Sequence, residues 1–177
     1  MSNYWNNALQ IDTVQKTSLR YLAVNYIKTG KPHISYTTLQ PTIVDVWKGI
    51  IKSRMMTRTY TLQADRHKLS RYEIAPTCQL CNQGPEDLPH MLTTCSALSE
   101  TRKETFAPIK IYITKFIRER KWKETFIDRH KITVLIIDCT NFTHIFSESK
   151  LKIEELETLT RNMFYKMHDS RLKLISV

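Results

Sequence analysis

Three of the chain's four cysteines and one of its six histidines fall within eighteen residues, in the order Cys78-x2-Cys81-x8-His90-x4-Cys95. A close cysteine pair followed by a His/Cys pair is how a short chain wraps a tetrahedral Zn2+. Such a site constrains the fold strongly, because four side chains must converge on one point. The intervening Asn82-Gln83-Gly84-Pro85 supplies residues for the turn that swings the second half back. Asp87 and Pro89 suit the start of a helix that carries His90. On that helix Thr94 shares the face of His90, and Cys95 is one step round, within reach if the last turn is loosened. Four protein ligands would close the metal and leave no place for a reacting water, so the expected cofactor is one structural Zn2+. The competing reading is a redox Cys-x2-Cys pair, which lacks its strand-to-helix context here and leaves His90 and Cys95 unexplained.

Charge is distributed unevenly around this segment. Residues 48–71 carry seven Lys/Arg against one acid, and residues 102–131 carry ten against four. Between them, residues 72–101 hold Glu73, Glu86, Asp87 and Glu100 with no Lys or Arg. The zinc segment therefore reads as a clip holding two basic flanks that suit nucleic-acid phosphates. The bland alternative for those flanks is a solvated helix face. Arg58, Arg66, Lys68 and Arg71 are the candidate phosphate contacts before the clip, and Lys110, Lys115, Arg118 and Lys121 those after it.

With 41% hydrophobic residues and only three glycines in 177, packed helices are expected. No run of apolar residues is long enough for a membrane span and the first residues lack a signal-peptide core, so an intracellular protein, nuclear or cytoplasmic, is expected. Residues 11–27 read as a helix with Val14, Leu19, Leu22, Ala23, Tyr26 and Ile27 at helical spacing, closed by Gly30 and Pro32. Thr42 caps a second helix whose Ile43, Val46, Trp47, Ile50, Ile51 and Met55 form a core-facing stripe, with Lys48, Lys52 and Arg58 pointing away from it. Residues 60–77 read as an extended or irregular approach to the metal site. A short helix over 98–106 is expected to end near Pro108. A basic amphipathic helix follows over 109–122, with Ile109, Tyr112, Ile113, Phe116 and Ile117 on one face. Ile132–Ile137 is open between strand, by its β-branched content, and buried helix, which the lack of a second strand to pair with favours, and Cys139 reads as a small buried side chain. A last helix runs from about Ser149 to Lys173 on the stripe Ile153, Leu156, Leu159, Met163 and Met167. Glu154, Glu155 and Glu157 near its start suit the helix dipole.

No catalytic constellation stands out. The chain has no adjacent aspartates to hold polymerase metals and no Pro-Asp motif of an endonuclease. Asp-Arg-His-Lys occurs at 65–68 and again at 128–131, with flanks too different for a repeat.

The run from Arg58 to Ser70, Cys78-x-Leu80-Cys81, Glu86-Asp87-Leu88-Pro89-His90, Met91-Leu92-x2-Cys95 and Arg102 together resemble one family. It is the zinc-binding region that follows the polymerase domain in non-LTR (LINE-type) retrotransposon reverse transcriptases, in invertebrate, molluscan-like copies. The likeness covers roughly residues 55–105, with weaker similarity around Leu19–Leu22 and Val44–Gly49. The resemblance implies binding of template RNA or target DNA beside the polymerase domain of a parent reverse transcriptase, with no small-molecule substrate. The expected fold is mainly α, a small helical unit organised around a structural Cys3His zinc knuckle. Its segments would be an N-terminal helical one (1–57), the zinc-binding one (58–105) and a C-terminal helical one (106–177). The expected role is non-catalytic. The alternatives are a zinc-stabilised protein-interaction module and an inert relic of a retroelement reading frame.

Overall fold

The computed structural model describes residues 2–16, 19–23, 26–28, 30–146 and 151–176. Among these, helices carry the fold and no strand forms; one isolated bridge joins Thr77 and Pro85. The α-helices are α1 (Ser2–Gln15), α2 (Ile34–Thr37), α3 (Ile43–Met56), α4 (Gln63–Leu69), α5 (Ser99–Thr114), α6 (Glu119–Thr125), α7 (Arg129–Ile137), α8 (Thr143–Phe146) and α9 (Ile153–Ile175). The long α9 packs along both α3 and α5, and one hydrophobic core runs from Tyr21 to Met167. The expected mainly helical fold around a Cys3His group is the one observed.

Helix α3 begins as expected, with the Thr42 hydroxyl accepting the Asp45 N–H at 3.2 Å. Its orientation departs from the expected one, and of the expected stripe only Ile51 and Met55 are buried. Ile43 (81% exposed), Val46, Trp47 (56%) and Ile50 face outward, while Asp45, Gly49, Lys52 and Met56 join Ile51 and Met55 inside. The cause lies in α9. Lys52 Nζ donates to Glu157 Oε2 and Thr160 Oγ1, each at 2.6 Å, and Arg161 Nη2 donates to Asp45 Oδ2 at 3.2 Å. Gly49 lets α3 come close to the preceding loop, for a Cβ there would lie 2.9 Å from a Leu39 methyl carbon. Two ion pairs between α3 and α9 thus fix a face that simple amphipathicity would turn outward. Lys52, expected to point away from the core-facing stripe, is fully buried, as is Glu157, expected near the start of the last helix.

Three other boundaries differ from expectation. The helix expected over 11–27 is replaced by α1 and a series of turns from Leu19 onward, such as the Leu22 N–H to Leu19 carbonyl bond of 2.9 Å. Distant side chains hold this stretch: Asp138 accepts from the Ala23 N–H at 2.8 Å, and the Asn141 amide donates to the Tyr21 carbonyl at 2.9 Å. Residues 60–77 contain α4, because the Asp65 carboxylate accepts from Leu62 N–H (3.2 Å) and Glu86 from Gln63 N–H (3.0 Å), satisfying donors at its start. Pro108, expected to end a helix, lies within α5. An interior proline costs about 3 kcal/mol. Burial of Ile109 and Ile113, both fully covered, contributes about 1.5–3 kcal/mol each and outweighs it.

The chain then turns after Thr114, where Phe116 N–H bonds Ile113 O at 3.0 Å, so the helix expected over 109–122 is two helices, α5 and α6. Helix α7 is the buried helix expected over 132–137, and Cys139 is fully buried beyond it. The stripe of α9 buries Leu156, Met163 and Met167 completely, and the helix begins at Ile153. Its expected start at Ser149 lies outside the described residues.

Candidate metal centre

The first half of the centre is a tight hairpin. Cys78 N–H donates to Gly84 O at 2.7 Å and Glu86 N–H to Pro76 O at 2.8 Å, flanking the Thr77–Pro85 bridge. Asn82 closes the Cys78–Cys81 turn, its N–H donating to Cys78 O at 2.9 Å. Its φ of +55° is a left-handed conformation that asparagine tolerates better than most residues. In the second half, the Asp87 carboxylate caps His90 N–H at 2.8 Å. Residues His90–Thr94 then form a π-helical turn, and Cys95 N–H donates to His90 O at 2.8 Å. An i to i+5 bond widens the turn so that the fifth residue comes over the first. This is the loosening that the spacing requires.

The donor atoms of Cys78, Cys81, His90 and Cys95 all lie within 4.8 Å of one another. Cys78 Sγ is 3.9 Å from Cys95 Sγ, and Cys81 Sγ is 3.3 Å from His90 Nε2. A tetrahedral ion with metal–sulfur bonds of about 2.3 Å has S···S edges of about 3.8 Å. The four residues are therefore spaced to hold one metal ion. Cys78 and Cys95 are buried, while Cys81 and His90 are half-buried at the rim. Thr94 Oγ1 lies 3.0 Å from His90 Nδ1. With the proton on Nδ1 and Thr94 accepting it, Nε2 is left as the free donor, the outer-shell arrangement typical of ligating histidines.

Burial pushes the Cys95 thiol up to about 12, and the neighbouring Cys78 and Cys81 add to the effect. Burial opposes ionisation of Cys81 as well, but the Gln83 N–H and the other two thiols outweigh it and bring its pKa below the usual value. Three thiolates around a divalent ion leave one net negative charge. The Arg102 guanidinium stands against it, donating to the Cys95 carbonyl; burial lowers its pKa and the Cys95 charge raises it.

Glu86 ties this centre to the rest of the molecule. Its carboxylate takes two bonds from Arg171 of α9, at 2.7 and 3.0 Å, besides the Gln63 N–H. Burial alone would lower the Arg171 pKa, but the bonds and charge of Glu86 outweigh it and raise it. Tyr60, beneath the same guanidinium, meets His168 Nδ1 at 2.8 Å. The sequence reading gave Thr94, Arg102 and Glu86 no role at the centre, although Glu86 and Arg102 belong to the resembling motif. Only Thr94 carried a local signal, its position four residues after His90.

The eight candidate phosphate contacts fall into two groups. Arg66, Lys68 and Arg71 are exposed on α4 and the turn after it, while Arg58 is paired with Asp65 at 3.2 Å and mostly covered. Lys115, Arg118 and Lys121 are exposed around the α5–α6 corner, where Lys110 reaches Glu119 at 3.4 Å. Lys48, from the helix before them, sits 3.8 Å from Asp45. No protein-family model matches this chain, and neither the curated proteins nor the solved structures contain a match. No described helix is long and apolar enough to cross a membrane.

Proposed function

We propose that this chain is the zinc-binding segment of a non-LTR retrotransposon reverse transcriptase, a non-catalytic unit that binds template RNA or target DNA beside the polymerase domain. The observation that carries the proposal is a four-donor centre with exposed cations on the elements before and after it. Three thiols and an imidazole on tetrahedral edges are the donor set of a structural zinc site. Bound there, Zn2+ supplies folding free energy. Asp87 and Thr94 set the orientation of His90, Arg102 offsets the thiolate charge, and Glu86 transmits the position of the knuckle to α4 and α9. The basic residues on both sides are then held in a fixed relation, as a phosphate-tracking surface needs.

The test is RNA binding by the purified chain at 50 and 200 mM salt. Engagement of about six phosphates lowers affinity about a thousandfold between these conditions. The double change Arg66→Ala with Lys68→Ala weakens binding and leaves metal content unchanged. Absence of salt-dependent binding refutes the proposal. A second reading, a zinc-stabilised protein-interaction module, is favoured by the exposed apolar row Ile43, Val46, Trp47 and Ile50 on α3. Under that reading the chain binds no RNA, and substitutions in this row abolish capture of its protein partner.

A further inference from the structure

The metal-binding stretch brings no Lys or Arg of its own, yet the fold places cations directly beside it. The N-terminal turn of α7 packs near the π-helical turn, and a groove of about 410 Å3 separates the two. Gln83, Pro85, Asp87, His90 and Thr94 line one wall, with the Asp87 carboxylate engaged by the His90 N–H at 2.8 Å, and Arg129 and His130 line the other. Arg129 and His130 are exposed, and Lys131 follows them. Among the described residues no carboxylate lies within ion-pair distance of Arg129 or Lys131, in contrast to Arg58, Lys110, Arg120 and Lys173. An ion-paired cation must give up its partner to take a phosphate; Arg129 and Lys131 need not.

The groove offers more than charge. The exposed imidazole of His130 stands at the rim beside the buried Tyr21, with ring centroids 6.1 Å apart and the planes tilted by 43°. Gln83 presents an exposed amide across from it. A cation beside an aromatic ring, with an amide opposite, is the combination by which proteins hold an unpaired nucleotide. The volume falls within the range of about 300–1,000 Å3 for small-molecule sites, suited to one nucleotide and too small for a duplex.

We infer that the groove between the knuckle and the N-terminal turn of α7 holds one nucleotide of a single strand, with its phosphate on Arg129 and its base against His130. The inference rests on the proposed nucleic-acid role and adds a specific seat, built by the metal centre on one side and by α7 on the other. It also explains how a knuckle without Lys or Arg of its own takes part in binding. Its wall is supplied with charge by a helix about forty residues later in the chain.

The test uses the whole chain loaded with zinc and a fluorescent eight-nucleotide single-stranded RNA. Arg129→Gln, which removes the charge and keeps a polar side chain, is compared with Lys123→Gln, an equal loss of charge at an exposed site on α6. Metal content and melting temperature serve as checks on folding. The expected result is about a tenfold loss of affinity for Arg129→Gln, with the log–log salt slope reduced by about one. Lys123→Gln changes affinity less than twofold, and a blunt duplex of the same length competes poorly. If Arg129→Gln binds like Lys123→Gln while Arg66→Ala with Lys68→Ala loses binding, the groove is refuted and the proposed function stands. If the unaltered chain binds no RNA at either salt concentration, both are refuted.

Discussion

The metal centre and the α3–α9 seam are both polar sites inside a small helical protein, and they are assembled in opposite ways. The centre takes its four donors from eighteen consecutive residues, each placed by a local turn. The seam joins Lys52 to Glu157 and Asp45 to Arg161, partners 105 and 116 residues apart. Spacing therefore announces the first, while nothing near Lys52 or Asp45 in the chain announces the second. The two also differ in energetics. A metal bound only by the folded state adds its binding free energy to folding. A buried ion pair is costly to desolvate, and its removal from one side leaves an uncompensated charge.

The largest effect that separates the two regions is at the centre. Cys78→Ser removes a buried ligand, and the changed chain is expected to lose its metal and the folded structure of residues 76–98; proton–nitrogen correlation spectra before and after the change check this. Cys139→Ser, at the buried thiol outside the centre, keeps the metal. If it released the metal, the distinction between local and long-range sites would fail at once.

Next in size is the seam. Lys52→Met strands the Glu157 carboxylate, for which about 3–5 kcal/mol of destabilisation is expected in urea unfolding. The double change Lys52→Met with Glu157→Leu recovers most of that loss. A single change costing under about 1 kcal/mol would mean that Lys52 reaches water, and that α3 is turned as its apolar stripe suggests.

Smaller again is Thr94→Val, which removes the partner of His90 Nδ1. A fall of about 10–100-fold in metal affinity is expected from competition with a chelating dye, with little change in the fold. Unchanged affinity would show that His90 is oriented by Asp87 and the π-helical turn alone.

The smallest expected effect is the most discriminating for α3. Trp47→Ala, at a residue 56% exposed, should change stability by no more than about 0.5 kcal/mol. A core tryptophan would cost about 3–5 kcal/mol.

These contrasts explain what could be read from the chain. The knuckle was legible down to its loosened turn, because the positions of His90 and Cys95 permit few alternatives. Most of the stripe of α9 was legible from apolar content, whereas the β-branched run at 132–137 left helix and strand open, and only the lack of a pairing strand pointed to the helix that forms. The facing of α3 was not, since a helix carrying both an apolar row and a row of Asp45, Gly49, Lys52 and Met56 has two faces that can be buried. Only the complementary charges of α9 decide between them. Pro108 misled for a related reason: its local penalty is visible in sequence, but the burial of Ile109 and Ile113 that outweighs it is tertiary. The start of α4 likewise depends on Glu86, which reaches back twenty-three residues to the Gln63 N–H.

The central claim is that the four donors hold one structural zinc ion. Its most direct measurement is native mass spectrometry, with elemental analysis, of protein purified without added metal. One zinc per chain, lost in Cys78→Ser and retained in Cys139→Ser, is the predicted result. Folded protein carrying no zinc, and binding none when it is supplied, would contradict the account.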